Sequence, residues 1–169
     1  MRLQATSYFI WQFVFVTATL AQQPDNGPNS ATAYCDFDDG QEVSVRYNAS
    51  VATSKDEPRN GKVWLPGGSP MTLFTGAAVT LNNSPIPAGA YSVYVIPGKK
   101  DWTLIVNKNV TAADQYDEKQ DLARSSMELG EVDSPPKQLQ VSFAHVAPKQ
   151  CSIRLYYGKI GAFTEFTEK

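Results

Sequence analysis

The 169-residue chain has a single histidine, His145. One imidazole cannot build a multi-histidine metal cage, and no cluster of His and Cys at metal-ligand spacing stands in for it. A base without a nucleophile is equally little use, and no G-x-S-x-G motif supplies one. His145 shares the parity of Leu139, Val141 and Phe143 and reads as a hydrogen-bonded structural side chain. The sequence also lacks a glycine-rich phosphate loop and a calcium loop with its twelfth-position Glu. Asp36, Asp38, Asp39 and Glu42 gather around Asp39-Gly40, and Asp-Asp-Gly is ordinary turn chemistry. No catalytic residue, metal or cofactor is assigned.

Charge is also sparse. Charged residues are 19% of the chain, the formal net charge is −2, and like charges never run to five. A nucleic-acid partner would need a clustered basic face, and an anionic membrane surface would need a polybasic stretch. Neither is present. No internal repeat is visible, and this length fits one domain.

The N-terminus reads as a signal peptide, residues 1–21. Arg2 forms the positive region, Phe9–Ala21 the apolar region, and Thr19 and Ala21 are small enough for the cleavage site. Those thirteen residues would rise only about 20 Å as a helix, short of a ~30 Å hydrocarbon core. An uncleaved anchor is the alternative. Export makes the chain periplasmic or extracellular, and residues 22–32, polar with two Pro and a Gly, read as a disordered leader. In an oxidising compartment two cysteines, Cys35 and Cys151, read as one disulfide; the competing reading is two buried thiols.

The expected domain spans 33–160, with 161–169 as a tail. Its centre is residues 77–107, where Tyr91–Ile96 and Trp102–Asn107 are apolar at both parities, as in strands covered on both sides. Before them, Tyr34–Phe37 and Gln41–Tyr47 form a hairpin. A three-residue loop, Asp38–Gly40 with Gly40 left-handed, pairs Cys35 with Val43 and keeps Val43, Val45 and Tyr47 on one face. After them, Gln138–Val146 and Cys151–Tyr157 alternate as a second hairpin. Residues 111–129 read either as helix by propensity or as a loop followed by the strand Asp121–Leu129. Seven to nine short strands make an all-β protein, an antiparallel β-sandwich of jelly-roll or immunoglobulin type with at most one short helix.

Gly61-Lys62-Val63-Trp64, Ile86-Pro87-Ala88-Gly89-Ala90-Tyr91-Ser92, Ile96-Pro97-Gly98, Asp101-Trp102-Thr103-Leu104-Ile105, Asn107-Lys108 and Asp121-Leu122-Ala123-Arg124 occur in this order. The series resembles a bacterial family known as Domain of Unknown Function 2911, over roughly residues 34–157. The resemblance implies an exported β-sandwich, and it favours the strand for 121–129. The family has no established activity to carry over. Typical members follow G-K-V-W with Arg-Thr-Gly-Ala-Asn-Glu, whereas this chain has Leu65, Pro66, Gly67, Gly68, Ser69 and Pro70, with no cation, amide or carboxylate.

The irregular stretch 48–76 is where a rigid β-scaffold would carry a site. Trp64 and Tyr116 lie in loop-like sequence and are candidate ligand contacts, with the core as the alternative. Arg59, Lys62 and Arg124 are candidate charged contacts. The expected function is a non-catalytic, monomeric binding module for a small molecule, glycan or protein. The alternatives are a hydrolase or isomerase working through Asp/Glu and Lys/Arg in a cleft, and a structural envelope protein. Asn48-Ala49-Ser50, Asn82-Asn83-Ser84 and Asn109-Val110-Thr111 match the glycosylation pattern and read as coincidence in a bacterial chain.

Overall fold

The structure is a computed structural model describing residues 29–51, 57–111, 113 and 115–169. The expected signal peptide and most of the leader lie outside the described residues. Eleven strands, β1 (Ser30–Asp36), β2 (Glu42–Asn48), β3 (Met71–Thr75), β4 (Val79–Leu81), β5 (Ser84–Ile86), β6 (Gly89–Ile96), β7 (Trp102–Asn107), β8 (Asp121–Glu131), β9 (Gln140–Ala147), β10 (Gln150–Tyr157) and β11 (Ile160–Glu168), form one antiparallel sheet. The path runs β1-β2-β3-β6-β7-β8-β11-β10-β9, and the β4–β5 hairpin attaches to β11.

The first hairpin has the expected register. Cys35 pairs with Val43, and Gly40 takes φ 83° after a loop closed by Gly40 N–H donating to the Phe37 carbonyl. Residues 30–32, expected in the leader, pair with 46–48. Residues 161–168, expected in a tail, form most of β11, which sits between β8 and β10. Residues 121–129 are strand, and the only helical turns among the described residues are two three-residue 3-10 turns, Pro66–Gly68 and Glu118–Gln120.

The expected two-layered sandwich is replaced by a nearly closed, barrel-like sheet. The end strands β1 and β9 lie side by side. Few backbone bonds cross their seam: Asp38 N–H donates to the Pro148 carbonyl, and Leu139 N–H to that of Ser50. The disulfide Cys35–Cys151 does the rest, joining β1 to β10 with Cα atoms 6.3 Å apart. Closing a loop across 116 residues stabilises by about 4–5 kcal/mol on the chain-entropy account. Asp38 also meets His145, Oδ1 to Nε2 3.3 Å, at the same seam.

The interior is one apolar cluster. Val43, Val45, Leu73, Val93, Val95, Leu104, Val106, Met127, Ile153, Leu155 and Phe166 come from seven different strands. Trp64 joins them, pairing with Val95 through two backbone bonds and meeting Trp102 and Tyr157 edge-on with centroids 5.4 and 4.9 Å apart. Two motif glycines are explained by close approach. A Cβ on Gly98 would stand 2.3 Å from the Asp101 carbonyl oxygen, and one on Gly67 2.1 Å from that of Asn48. In the Pro87–Tyr91 stretch the Tyr91 hydroxyl turns back to donate to the Pro87 carbonyl at 2.8 Å. Its ring passes 3.3–3.6 Å from where a Gly89 side chain would start.

Candidate functional site

Two outer surfaces of the barrel carry polar chemistry. The first lies over β6 and β7. Tyr94 and Ile105 lie outside the interior cluster and are nevertheless fully buried, Tyr94 against Ala113 and Tyr116 of the connection between β7 and β8. Tyr94 donates its hydroxyl to the Ala113 carbonyl, Ser92 donates to that of Asn109, and the Tyr116 ring meets Tyr94 edge-on at 4.9 Å.

The cover is held by a network centred on Asp121. Its Oδ1 accepts from Nδ2 of the buried Asn107 at 2.7 Å, and its Oδ2 accepts from the Tyr116 hydroxyl and from Arg124 Nε, each at 2.8 Å. Asn107 Nδ2 also donates to the Asp117 carbonyl, while Asn107 Oδ1 accepts from Asn109 N–H. Arg124 Nη2 reaches the Tyr116 oxygen and Glu118 Oε1. Burial and the neighbouring Asp121 carboxylate push the Tyr116 phenol up to about 12, against the lowering pull of Arg124. The hydrogen bond to Asp121 raises the Arg124 guanidinium further. Asp117 caps the 3-10 turn, and its bonds to Gln120 and to Lys119 N–H hold it below the usual carboxylate range. A phenol that stays protonated and a carboxylate committed to three donors make a clasp rather than a base or nucleophile.

The sequence candidates therefore separate. Tyr116 and Arg124 come together, in the clasp. Trp64, only 6% exposed, is core, the alternative weighed for it. Arg59 and Lys62 are exposed on a turn whose Gly61 N–H bonds the Pro97 carbonyl, beyond the Ile96/Thr103 end of the β6–β7 ladder. The clasp lies at the Ser92/Asn107 end, so the two sets do not converge. Within Leu65–Pro70, Pro66 and Gly67 are buried, and Asn48 Nδ2 donates to the Gly67 carbonyl at 2.9 Å.

The second surface is one that sequence reasoning missed. β11 pairs with β8 only from Ile160 to Phe163, and from Phe166 onward the same edge pairs with β4. Between the two pairings the strands part. The wedge is the tight β4–β5 hairpin, whose Asn82 and Asn83 both take left-handed φ, 48° and 62°, as a two-residue hairpin turn requires. Pro85 sits on its outer strand, where a missing N–H costs little.

The parting leaves a cleft of about 350 Å³ whose walls include Thr80, Asn82, Asn83, Ser126, Glu128 and Thr167. At its base the Ser125 and Thr164 hydroxyls are paired at 2.9 Å. Gln150 Nε2 bonds Glu165 on one side, and Ser126 Oγ donates to Asp101 on the other. The ring of Phe163, 38% exposed, stands at the rim. No lysine or arginine is among the described residues lining the cleft, although Arg124 precedes Ser126 by two positions on the same face of β8. Among the described residues no cluster of three or more His, Cys, Asp or Glu could hold a metal ion. The sequence signal for this site was Asn82-Asn83, a left-handed pair between Leu81 and Ser84.

No curated protein and no solved structure matches the chain. A family model does, described as protein of unknown function (DUF2911), and it covers residues 29–165, from the start of β1 into β11. The family motifs fall where the fold needs them: Gly98 against Asp101, Tyr91 over Gly89, and Asn107, Asp121 and Arg124 in the clasp. The chain belongs to this DUF2911 family of proteins of unknown function.

Proposed function

We propose that the protein is an exported, non-catalytic, monomeric binding module that takes a polyhydroxylated ligand, a glycan, in the cleft between β8, β4 and β11. One observation carries this reading. The cleft offers hydroxyls, amides and carboxylates, which both donate and accept, next to the exposed face of Phe163. A sugar presents the complementary set, hydroxyls that donate and accept and a weakly polar C–H face suited to an aromatic ring. The site expected in 48–76 is less suited, because the Trp64–Gly67 part of that stretch is turned into the barrel. Export is supported by the disulfide, which forms and persists in an oxidising compartment.

A thermal-shift panel of saccharides and polyols against the intact, disulfide-bonded protein tests the reading. A ligand at a hundred times its Kd raises stability by about 2.7 kcal/mol, because it binds the native state alone. The expected result is stabilisation by at least one saccharide series, lost in Phe163→Thr, with no bond cleavage in the same mixtures. Cleavage products would favour the hydrolase alternative, and stabilisation by none of the saccharides would contradict binding.

A further inference from the structure

We infer that the ligand is an extended oligosaccharide, neutral or amine-bearing, whose consecutive units lie on either side of Phe163; this rests on the reading of the cleft as a glycan site. A second depression of about 290 Å³ lies across β11 from the first, lined by Val132, Val146, Arg154, Tyr156, Phe163 and Glu165 among others. Phe163 and Glu165 line both depressions. The strand register makes them neighbours: Phe163 is opposite Glu128 on β8 and Arg154 on β10, and Glu165 is opposite Ser152.

Gly161 shapes the second depression. It pairs with Tyr156, and a Cβ there would come within 3.3 Å of the tyrosine ring. Without a side chain at 161, Tyr156 lies down against the sheet and leaves a flat aromatic face diagonal to Phe163. Diagonal positions on neighbouring strands are about 7–8 Å apart, so one extended ligand can meet both rings. Each depression alone is near the lower end of the ~300–1,000 Å³ typical of small-molecule sites, so a firmly held ligand needs both.

Charge sets the class. The two depressions carry the carboxylates of Glu128, Glu131 and Glu165 against the single guanidinium of Arg154. A uronate or phosphorylated sugar meets repulsion, which at about 4 Å in water is worth roughly a factor of five per carboxylate.

Calorimetric titration with β-1,4-linked N-acetylglucosamine and glucosamine series and an α-1,4-linked galacturonate series, each of one to four units, tests this on the intact protein. Affinity should rise at least tenfold from one unit to three in the first two series. Galacturonate oligomers should bind at least fivefold more weakly than N-acetylglucosamine oligomers of equal length, and Glu128→Gln with Glu165→Gln should narrow that gap. Tyr156→Ser, checked for folding by its melting temperature, should bring the trimer down toward the monomer. A trimer that binds no tighter than the monomer, or a galacturonate trimer that binds best, overturns the inference and leaves the cleft as a glycan site. Tighter binding of a lysine- and tyrosine-rich peptide than of any oligosaccharide overturns it in favour of a peptide track. Silence from all three series removes the inference and the glycan reading together.

Discussion

Two outer faces of one barrel are treated in opposite ways. Over β6 and β7 Ala113 and Tyr116 of the β7–β8 connection cover Tyr94, and the polar groups that hold Tyr116 are satisfied by one another, with Asp121 at the centre. Over β8, β11 and β10 the outer face holds two depressions that meet at Phe163. The polar side chains there face a cleft, and an aromatic ring is left in the open. Polar density alone does not mark a function: the denser network is the structural one, and the sparser set is the one that a ligand can enter.

Several changes break or sharpen that contrast. Trp102→Ala removes the largest fully buried side chain beneath the covered face and should cost about 3–5 kcal/mol in urea unfolding. Replacing both Cys35 and Cys151 by serine should cost about 2–5 kcal/mol and open the β1–β9 seam, seen as faster amide exchange in β1 and β9. Asp121→Ala leaves the buried Asn107 amide and the Tyr116 hydroxyl short of an acceptor, a loss of about 1–3 kcal/mol. Its exchange signature should be confined to 108–120. Phe163→Thr, on the bare face, keeps a strand-forming residue and should change stability by no more than about 0.5 kcal/mol while removing saccharide binding.

The faces also differ in pH response. Tyr116 has its pKa raised from 10.0 to about 12 in the folded protein. Between those values the folded state holds a proton that the unfolded chain has lost. That contribution to stability is full below pH 10 and falls away as pH rises toward about 12. Tyr116→Phe should flatten the slope of stability against pH in that window. The bare-face variant Phe163→Thr should leave it unchanged.

The sequence was most legible where one physical signal dominated. Doubly apolar Tyr91–Ile96 and Trp102–Asn107 are buried on both faces, although the outer cover is a loop and not a second sheet. The register of β1 and β2 followed from face alternation and a left-handed glycine. β11 was hidden for a definite reason. Its inward set, Ala162, Thr164, Phe166 and Glu168, differs little from its outward set, Phe163, Glu165 and Thr167, each mixing Phe, Thr and Glu, so alternation gives little contrast. Glu168 turns inward beside Asp39, and burial and that neighbour raise its carboxyl above the ordinary value. The remaining signal was Gly158-Lys159, a two-residue turn between Tyr157 and Ile160.

Of the five site residues read from sequence, Tyr116 and Arg124 belong to one network because residue type and the Asp121–Arg124 spacing place them there. Trp64 read as either core or ligand contact, because its strand-like pairing with Val95 is a lone bridge and leaves no alternation in sequence. The cleft arises from the parting of β8 and β11, a long-range event that no local pattern encodes.

Backbone amide shift mapping during titration of the intact protein with the N-acetylglucosamine trimer tests the division between the faces most directly. The expected perturbations fall on Thr80–Asn83, Ser125–Glu128, Tyr156 and Phe163–Thr167. Perturbations centred on Tyr116–Arg124, or on the groove formed by Tyr47, Val51 and Pro136–Gln140, would contradict the account.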